Sequence, residues 1–158
     1  MSARVWGGAA ALLLCVTACG DSDDGSATDD GSSATPPQAR GDAATQEGLD
    51  GKTFVSTSVS GHDLVEGTTV RLVFDEGRLA VEAGCNTQTA QYTVDASTLR
   101  WSGPPASTMM ACPDPLHEQD LWLTGLFTDG AEMTVTEDGG TLTAGEVTME
   151  LGLDGSAH

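Results

Sequence analysis

The chain has 158 residues, of which 24 are acidic and 6 are lysine or arginine, so its formal net charge is −18. A length of about 150 residues fits one domain with short appendages. Because so acidic a chain repels phosphate groups, we expect neither nucleic acid nor an anionic lipid surface to attract it electrostatically.

The first 18 residues have the layout of a secretory signal peptide. Arg4 precedes an uncharged and mostly apolar stretch that runs from residue 5 to residue 18. A helix across the hydrocarbon core of a bilayer needs about 20 apolar residues, so this stretch is too short for a permanent membrane anchor. We therefore predict that residues 1–18 are a cleaved lipoprotein signal peptide.

Cys19 is the predicted lipidation site. In Val16-Thr17-Ala18-Cys19, small residues stand directly before a cysteine, as in bacterial lipoprotein signals. Cys15 is a competing candidate, but the bulky Leu14 before it does not suit the signal peptidase. An ordinary secretory signal with an incidental cysteine is the other alternative. We predict an extracytoplasmic protein held at the cell membrane by acyl chains on Cys19.

Residues 19–48 form a segment of mostly small, polar and acidic residues. Seven of its residues are acidic, and Arg40 is its one basic residue. A segment with so little to bury cannot offset the entropy lost on ordering, so we predict a disordered acidic linker. The run Asp21-Ser22-Asp23-Asp24-Gly25 departs from a calcium-binding loop, because its glycine is fifth instead of sixth, and is interpreted as a solvated acidic run.

Residues 49–153 alternate apolar and polar side chains in short runs separated by glycine-containing turns, which predicts antiparallel β-structure. The first strand is expected from Thr53 to Val59. A hairpin is expected around Asp75-Glu76-Gly77, between alternating runs that end at Phe74 and begin at Leu79. Further strands are predicted at Tyr92 with Val94, Leu99 with Trp101, Met133 with Val135, Leu142, and Val147 with Met149 and Leu151.

One helix of about 12 residues is predicted between these groups of strands. Asp114 is its expected N-cap, Pro115 suits the first helical position, and Thr128-Asp129-Gly130 ends it. Its apolar stripe comprises Leu116, Leu123, Leu126 and Phe127. The predicted fold is mainly β: a compact antiparallel barrel of about eight strands with one helix. Residues 154–158 are expected to be a short C-terminal tail.

The folded part resembles the META domain family, typified by HslJ-like proteins of bacterial envelopes. The resemblance rests on Gly84-Cys85-Asn86, on Tyr92 six residues after Asn86, and on Thr108-Met109-Met110-Ala111-Cys112 with Glu118 six residues after Cys112. Leu49-x-Gly51-x-x-Phe54 also fits, with Phe54 where the family usually has tryptophan. Gln88 stands where an aromatic residue is common, and Ala90 where a glycine is common.

This resemblance implies a compact β-barrel-like module associated with stress tolerance, for which no catalytic reaction is known. We expect its binding surface to combine the loop from Gly84 to Tyr92 with one face of the helix. Glu118 is expected near the helix start and is expected to bond back to the Gly84 loop. The residues predicted for this surface are Gly84, Asn86, Tyr92, Thr108, Glu118 and Trp122.

Cys85 and Cys112 are the two cysteines left after cleavage and lipidation. In an oxidising compartment we expect them to form a disulfide that closes about 28 residues and contributes roughly 3.5 kcal/mol. Two buried free thiols are the alternative. A redox-active pair is disfavoured, because nothing resembling a Cys-x-x-Cys motif lowers a thiol pKa here.

No catalytic, cofactor or metal site is predicted. His117-Glu118-Gln119-Asp120 lacks the second histidine of a zinc helix, because Leu121 stands at that place. His62 and Asp63 are interpreted as a solvated turn.

Three functions stay open. The first is a non-catalytic monomeric module that binds or supports another envelope component. The second is a carrier that holds a small apolar ligand inside the barrel. The third is an envelope hydrolase that uses acidic residues with His62 or His117.

Overall fold

A computed structural model describes residues 41–155. The predictions for the signal peptide, for Cys19 and for the linker as far as residue 40 lie outside the described residues. In chain order the elements are β1 (Asp42–Ala43), α1 (Gln46–Leu49), β2 (Thr53–Ser60), β3 (Arg71–Asp75), β4 (Arg78–Glu82), β5 (Thr87–Asp95), β6 (Thr98–Trp101), β7 (Ala106–Ser107), α2 (Asp114–Asp129), β8 (Ala131–Val135), β9 (Gly139–Ala144) and β10 (Val147–Leu153).

Eight of these strands close into an antiparallel barrel. Neighbouring strands follow the order β8-β6-β5-β4-β3-β2-β10-β9, and β9 pairs with β8 to close the ring. The short strands β1 and β7 add to β8 and β5. The predicted mainly β, barrel-like fold is therefore confirmed, with two additional short strands and a second, four-residue helix.

The β3–β4 hairpin places the alternating apolar residues of its two strands on the side that faces the core. Asp75 pairs with Arg78, so Glu76 and Gly77 form a two-residue turn. Their φ angles of 47° and 72° are both positive, as a type I′ turn requires. The turn therefore sets a register in which Leu72, Phe74, Leu79 and Val81 all face the core.

The barrel interior is filled by apolar side chains. Phe74 contacts Phe54 and Tyr92 edge to face, with ring centroids 5.9 and 5.2 Å apart. Phe127 of α2 reaches Trp101 of β6 at 5.5 Å, so the helix packs its apolar stripe onto the barrel. No helix in residues 41–155 is both long and apolar enough to cross a membrane.

The predicted linker boundary at residue 48 is wrong, because β1 begins at Asp42 and α1 at Gln46. Asp42 and Ala43 pair with Val135 and Thr134 of β8. Downstream of this pairing, Ala44 and Leu49 are buried. The strand forms because β8 offers an edge, and the composition of residues 42–48 gives no sign of it.

The helix α2 is longer than predicted and begins differently. It has 16 residues, and its N-cap is Pro113, without a side-chain hydrogen bond from Asp114. The predicted end is confirmed, because the N–H of Gly130 donates to Leu126 O at 3.0 Å. At the other end of the domain, Asp154 accepts from Arg71, which ties the start of the predicted tail to β3.

Candidate functional site

The disulfide between Cys85 and Cys112 joins two loops beside α2. Cys85 lies between β4 and β5, and Cys112 lies just before the helix; their Cα atoms are 6.1 Å apart and their positions differ by 27 residues. Both cysteines are half-buried. The predicted pairing is confirmed, and it fixes the start of α2 against the barrel.

Asn86 is the centre of a polar cluster next to this disulfide. Its Oδ1 accepts from Thr108 Oγ1 at 3.1 Å and from the backbone N–H of Met110 at 3.0 Å. Its Nδ2 donates to Asp120 Oδ2 at 2.9 Å and lies 2.9 Å from Cys112 Sγ. One buried amide therefore holds the β7–α2 loop, the disulfide and the helix together.

Gln119 fastens the same helix to the loop after β2. Its Oε1 accepts from the N–H of Val65 at 2.7 Å. Its Nε2 donates to Ala83 O at 2.7 Å and to Thr68 Oγ1 at 3.0 Å. Gln119 is buried, and both the oxygen and the nitrogen of its side-chain amide are hydrogen-bonded. The hydrogen bonds that the amide makes to water in the unfolded chain are thus replaced within the protein, and Gln119 stabilises the packing of α2.

Gln88 joins β5 to the next turn of the helix. Its Nε2 donates to Asp120 O at 2.7 Å, and its Oε1 accepts from Thr124 Oγ1 at 2.6 Å. The sequence singled out Gln88 only as a departure from the family pattern. In the fold it is a buried polar contact between barrel and helix.

The expectation that Glu118 bonds back to the Gly84 loop is wrong. Glu118 is exposed, whereas its neighbours Gln119 and Asp120 point inward and make these contacts. Gly84 has a φ of +102°, and a Cβ there would lie 2.7 Å from Thr68 Cγ2, so both backbone and packing require glycine.

Tyr92 is a core residue. Its ring is 2% exposed, and its hydroxyl donates to Gln46 O at 3.2 Å. Burial, with a further contribution from the Asp50 carboxylate, raises the pKa of Tyr92 above its ordinary value. The side chain is thus not on the surface that the sequence suggested for it.

Trp122 stacks on His62, with ring centroids 3.7 Å apart and planes inclined by 6°. Both residues are half-buried. His62 therefore packs against the helix instead of standing in a fully solvated turn.

An open groove lies over the Asn86 cluster. It has a volume of about 560 Å³, and Asn86 and Asp120 contribute to its lining. Met109, Met110 and Leu121 also line it, and their exposed fractions are 95%, 63% and 58%. Leu153 is the only other exposed large apolar residue among residues 41–155. Three of these four side chains therefore surround one groove.

The polar lining of this groove contains an unpaired atom. Asp120 is 5% exposed, and its Oδ1 has no hydrogen-bond partner. Its Oδ2 lies 3.9 Å from Cys112 Sγ. Histidine, cysteine, aspartate and glutamate side chains can bind metal ions. Within residues 41–155, one group of three such residues has its ligand atoms all within 4.8 Å of one another: Cys85, Cys112 and Asp120.

The META domain family matches residues 47–151, which is most of the folded part. An NMR structure is 24% identical with a TM-score of 0.54, covering 69% of this chain and 94% of that one. A second NMR structure, of a protein from Burkholderia xenovorans, is 16% identical with a TM-score of 0.59, covering 81% and 98%. These two similarities show the fold alone. A comparison with curated proteins found no match. The chain belongs to the META domain family.

Proposed function

We propose that this protein is a lipid-anchored, extracytoplasmic lipoprotein whose META domain is a non-catalytic binding module of the cell envelope. Its anchor is diacylglycerol on Cys19, and its docking surface is the groove that Met109, Met110 and Leu121 surround. The partner is another envelope protein that inserts apolar side chains into this groove.

One observation carries the binding role: three of the four exposed large apolar side chains of residues 41–155 meet at one groove. Apolar side chains gathered in one exposed place are typical of protein interaction sites. Methionine suits such a surface, because its flexible thioether adapts to the shape of a partner. The disulfide and Asn86 hold the loop that carries both methionines, so the surface is organised before a partner arrives.

A carrier of a small ligand inside the barrel is less well supported. Phe54, Phe74, Tyr92 and Phe127 are at most 2% exposed, and neighbouring rings are in contact. A ligand of drug size needs a pocket of a few hundred Å³. The aromatic rings occupy the space that such a ligand would need.

A hydrolase is the other alternative. Its acid and base must converge in one cleft. The ring of His62 stacks on Trp122, and His117 lines the same groove as Asp120 but lies outside the group formed by Cys85, Cys112 and Asp120. A binding module therefore accounts better for the described surface.

The anchor is tested by growing cells with an alkyne-bearing fatty acid and measuring its incorporation into the protein. We expect labelling of the wild type, loss of the label in Cys19→Ser, and retention in the matched control Cys15→Ser. A label that survives Cys19→Ser would contradict the proposed anchor.

The docking surface is tested with a photoreactive amino acid at position 121, inside the groove, or at position 153, outside it. The full chain is expressed in its native envelope and irradiated. We expect a discrete protein adduct from position 121 and none from position 153. Equal adducts from both positions, or no adduct from position 121, would contradict a specific docking groove.

A further inference from the structure

We propose that Cys85, Cys112 and Asp120 bind one zinc ion when the disulfide is reduced, so that the same site exists either as a disulfide or as a metal centre. The proposal goes beyond the docking role and does not depend on it. It concerns the two sulfur atoms and the Asp120 carboxylate, whereas docking concerns the exposed side chains of Met109, Met110 and Leu121.

The separations of the three side chains suit a single small cation. Their ligand atoms lie within 4.8 Å of one another. Tetrahedral zinc with bonds of about 2.3 Å to sulfur and about 2.0 Å to oxygen places its ligands roughly 3.5 to 3.8 Å apart. Asp120 Oδ2 already lies 3.9 Å from Cys112 Sγ. After reduction the two sulfur atoms need only move to their nonbonded separation.

The side chain of Asp120 is buried and only partly hydrogen-bonded, which also favours a cation beside it. Asp120 is 5% exposed, and its Oδ1 is buried without a hydrogen-bond partner. No basic side chain of residues 41–155 forms an ion pair with Asp120. A buried carboxylate without a cation is unfavourable, and a divalent ion beside it removes that penalty.

Asn86 is placed as the outer shell of such a site. Its Nδ2 lies 2.9 Å from both Cys112 Sγ and Asp120 Oδ2, and 4.0 Å from Cys85 Sγ. A donor in this position stabilises negative charge on a thiolate and orients the carboxylate. Three protein ligands leave one of the four tetrahedral zinc positions for water or another ligand.

The chemistry balances with a dithiol as reductant. The dithiol gives two electrons to the disulfide and becomes a disulfide itself, and its two protons pass to Cys85 and Cys112 as thiols. Binding of Zn²⁺ then releases these two protons to solvent as two zinc–thiolate bonds form. In the reverse direction a small disulfide accepts two electrons from the two thiolates and two protons from solvent and becomes a dithiol. The Cys85–Cys112 bond re-forms and Zn²⁺ is released, since disulfide sulfur is a poor zinc ligand.

The test uses the full chain with Cys15→Ser and Cys19→Ser, so that Cys85 and Cys112 are the only thiols. Co²⁺ is the spectroscopic probe, and a phosphine reduces the disulfide. We expect thiolate-to-cobalt charge-transfer absorption at one equivalent in the reduced protein, its absence in the oxidised protein, and displacement of Co²⁺ by Zn²⁺. A reduced protein without this absorption would overturn the proposal.

The variant Asp120→Asn tests whether Asp120 is a zinc ligand or whether the two thiolates alone bind the ion. Glu118→Gln, on the exposed face of α2, is the matched control. We expect Asp120→Asn to weaken Zn²⁺ binding at least about tenfold and Glu118→Gln to leave it unchanged. Equal affinity in wild type and Asp120→Asn would overturn the site.

A second measurement keeps the test valid if the protein unfolds when the disulfide is reduced. If the reduced apoprotein unfolds, Zn²⁺ must restore native tryptophan fluorescence in the wild type and do so less well in Asp120→Asn. Failure of Zn²⁺ to restore it in the wild type would overturn the proposal. Absence of the photo-adduct at position 121 would contradict the docking groove but would not change the cobalt absorption, the zinc affinity or the refolding by zinc. The docking proposal and the zinc proposal can therefore be refuted separately.

Discussion

The side chain of Asn86 donates from Nδ2 to Oδ2 of Asp120 across 2.9 Å, which joins a loop of the barrel to the buried face of α2. Asn86 also accepts from the backbone of Met110, and thereby holds the loop that carries the exposed methionines. Folding and the proposed docking surface thus share one buried amide. Its removal is expected to affect both.

Asn86→Ala is expected to lower the free energy of unfolding by about 2 to 3 kcal/mol, because several buried hydrogen bonds lose their partner. Glu118→Ala on the exposed face of α2 is the control, and a change within about 0.5 kcal/mol is expected for this exposed residue. Urea unfolding followed by tryptophan fluorescence measures both values. Similar losses in the two variants would contradict the central role of Asn86.

The disulfide is expected to contribute about 3.5 kcal/mol, since it closes a loop of 27 residues in sequence separation. Unfolding of the wild type with and without reductant, in the presence of a metal chelator, measures this contribution. The Cys85→Ser/Cys112→Ser double variant serves as the control and should be insensitive to reductant. A wild type equally stable in both conditions would show that the crosslink is not stabilising.

Tyr92 links alkaline pH to stability. Its raised pKa means that the folded protein retains the phenol proton at a pH where the unfolded chain releases it. This contribution is fully present below pH 10, the ordinary pKa of tyrosine, and is lost as pH rises through the raised folded-state value. We therefore expect the free energy of unfolding to fall more steeply above pH 10 in the wild type than in Tyr92→Phe.

Because Tyr92 is the only tyrosine of the chain, phenolate absorbance reports this one group. The native protein should show an absorbance midpoint above that of the chain in urea. Coincident midpoints would contradict the effect of burial.

The turn between β5 and β6 offers a stabilising change. Asp95 pairs with Thr98, and the turn residues Ala96 and Ser97 have φ angles of 46° and 73°. Asparagine and glycine adopt such angles more readily, so Ala96→Asn/Ser97→Gly is expected to add about 1 kcal/mol to the free energy of unfolding. Thermal unfolding measures the gain, and an unchanged or lower midpoint would contradict it.

The barrel strands were predictable because their side chains alternate between core and solvent. Leu72, Phe74, Leu79 and Val81 are all buried, as the period of two in the sequence implies. β1 and β7 were not predictable, since two residues carry no period. They are strands only because β8 and β5 provide edges.

The inward polar residues of α2 were missed although the pattern contains them. Gln119 and Asp120 lie three and four residues after Leu116, and four and three before Leu123, which places them on the apolar stripe. The family pattern points to Glu118, which is exposed, whereas the buried residues are the next two, Gln119 and Asp120. The partners of these side chains come from distant strands, and no local pattern identifies them.

The proposed docking role is tested most directly by separating binding from folding in Met109→Asp/Met110→Asp. Both methionines are exposed, so the free energy of unfolding should stay within about 0.5 kcal/mol of the wild type. The photo-adduct formed from position 121 in the native envelope should disappear, because two carboxylates are placed where apolar side chains dock. A variant as stable as the wild type that still forms the adduct would contradict the docking groove.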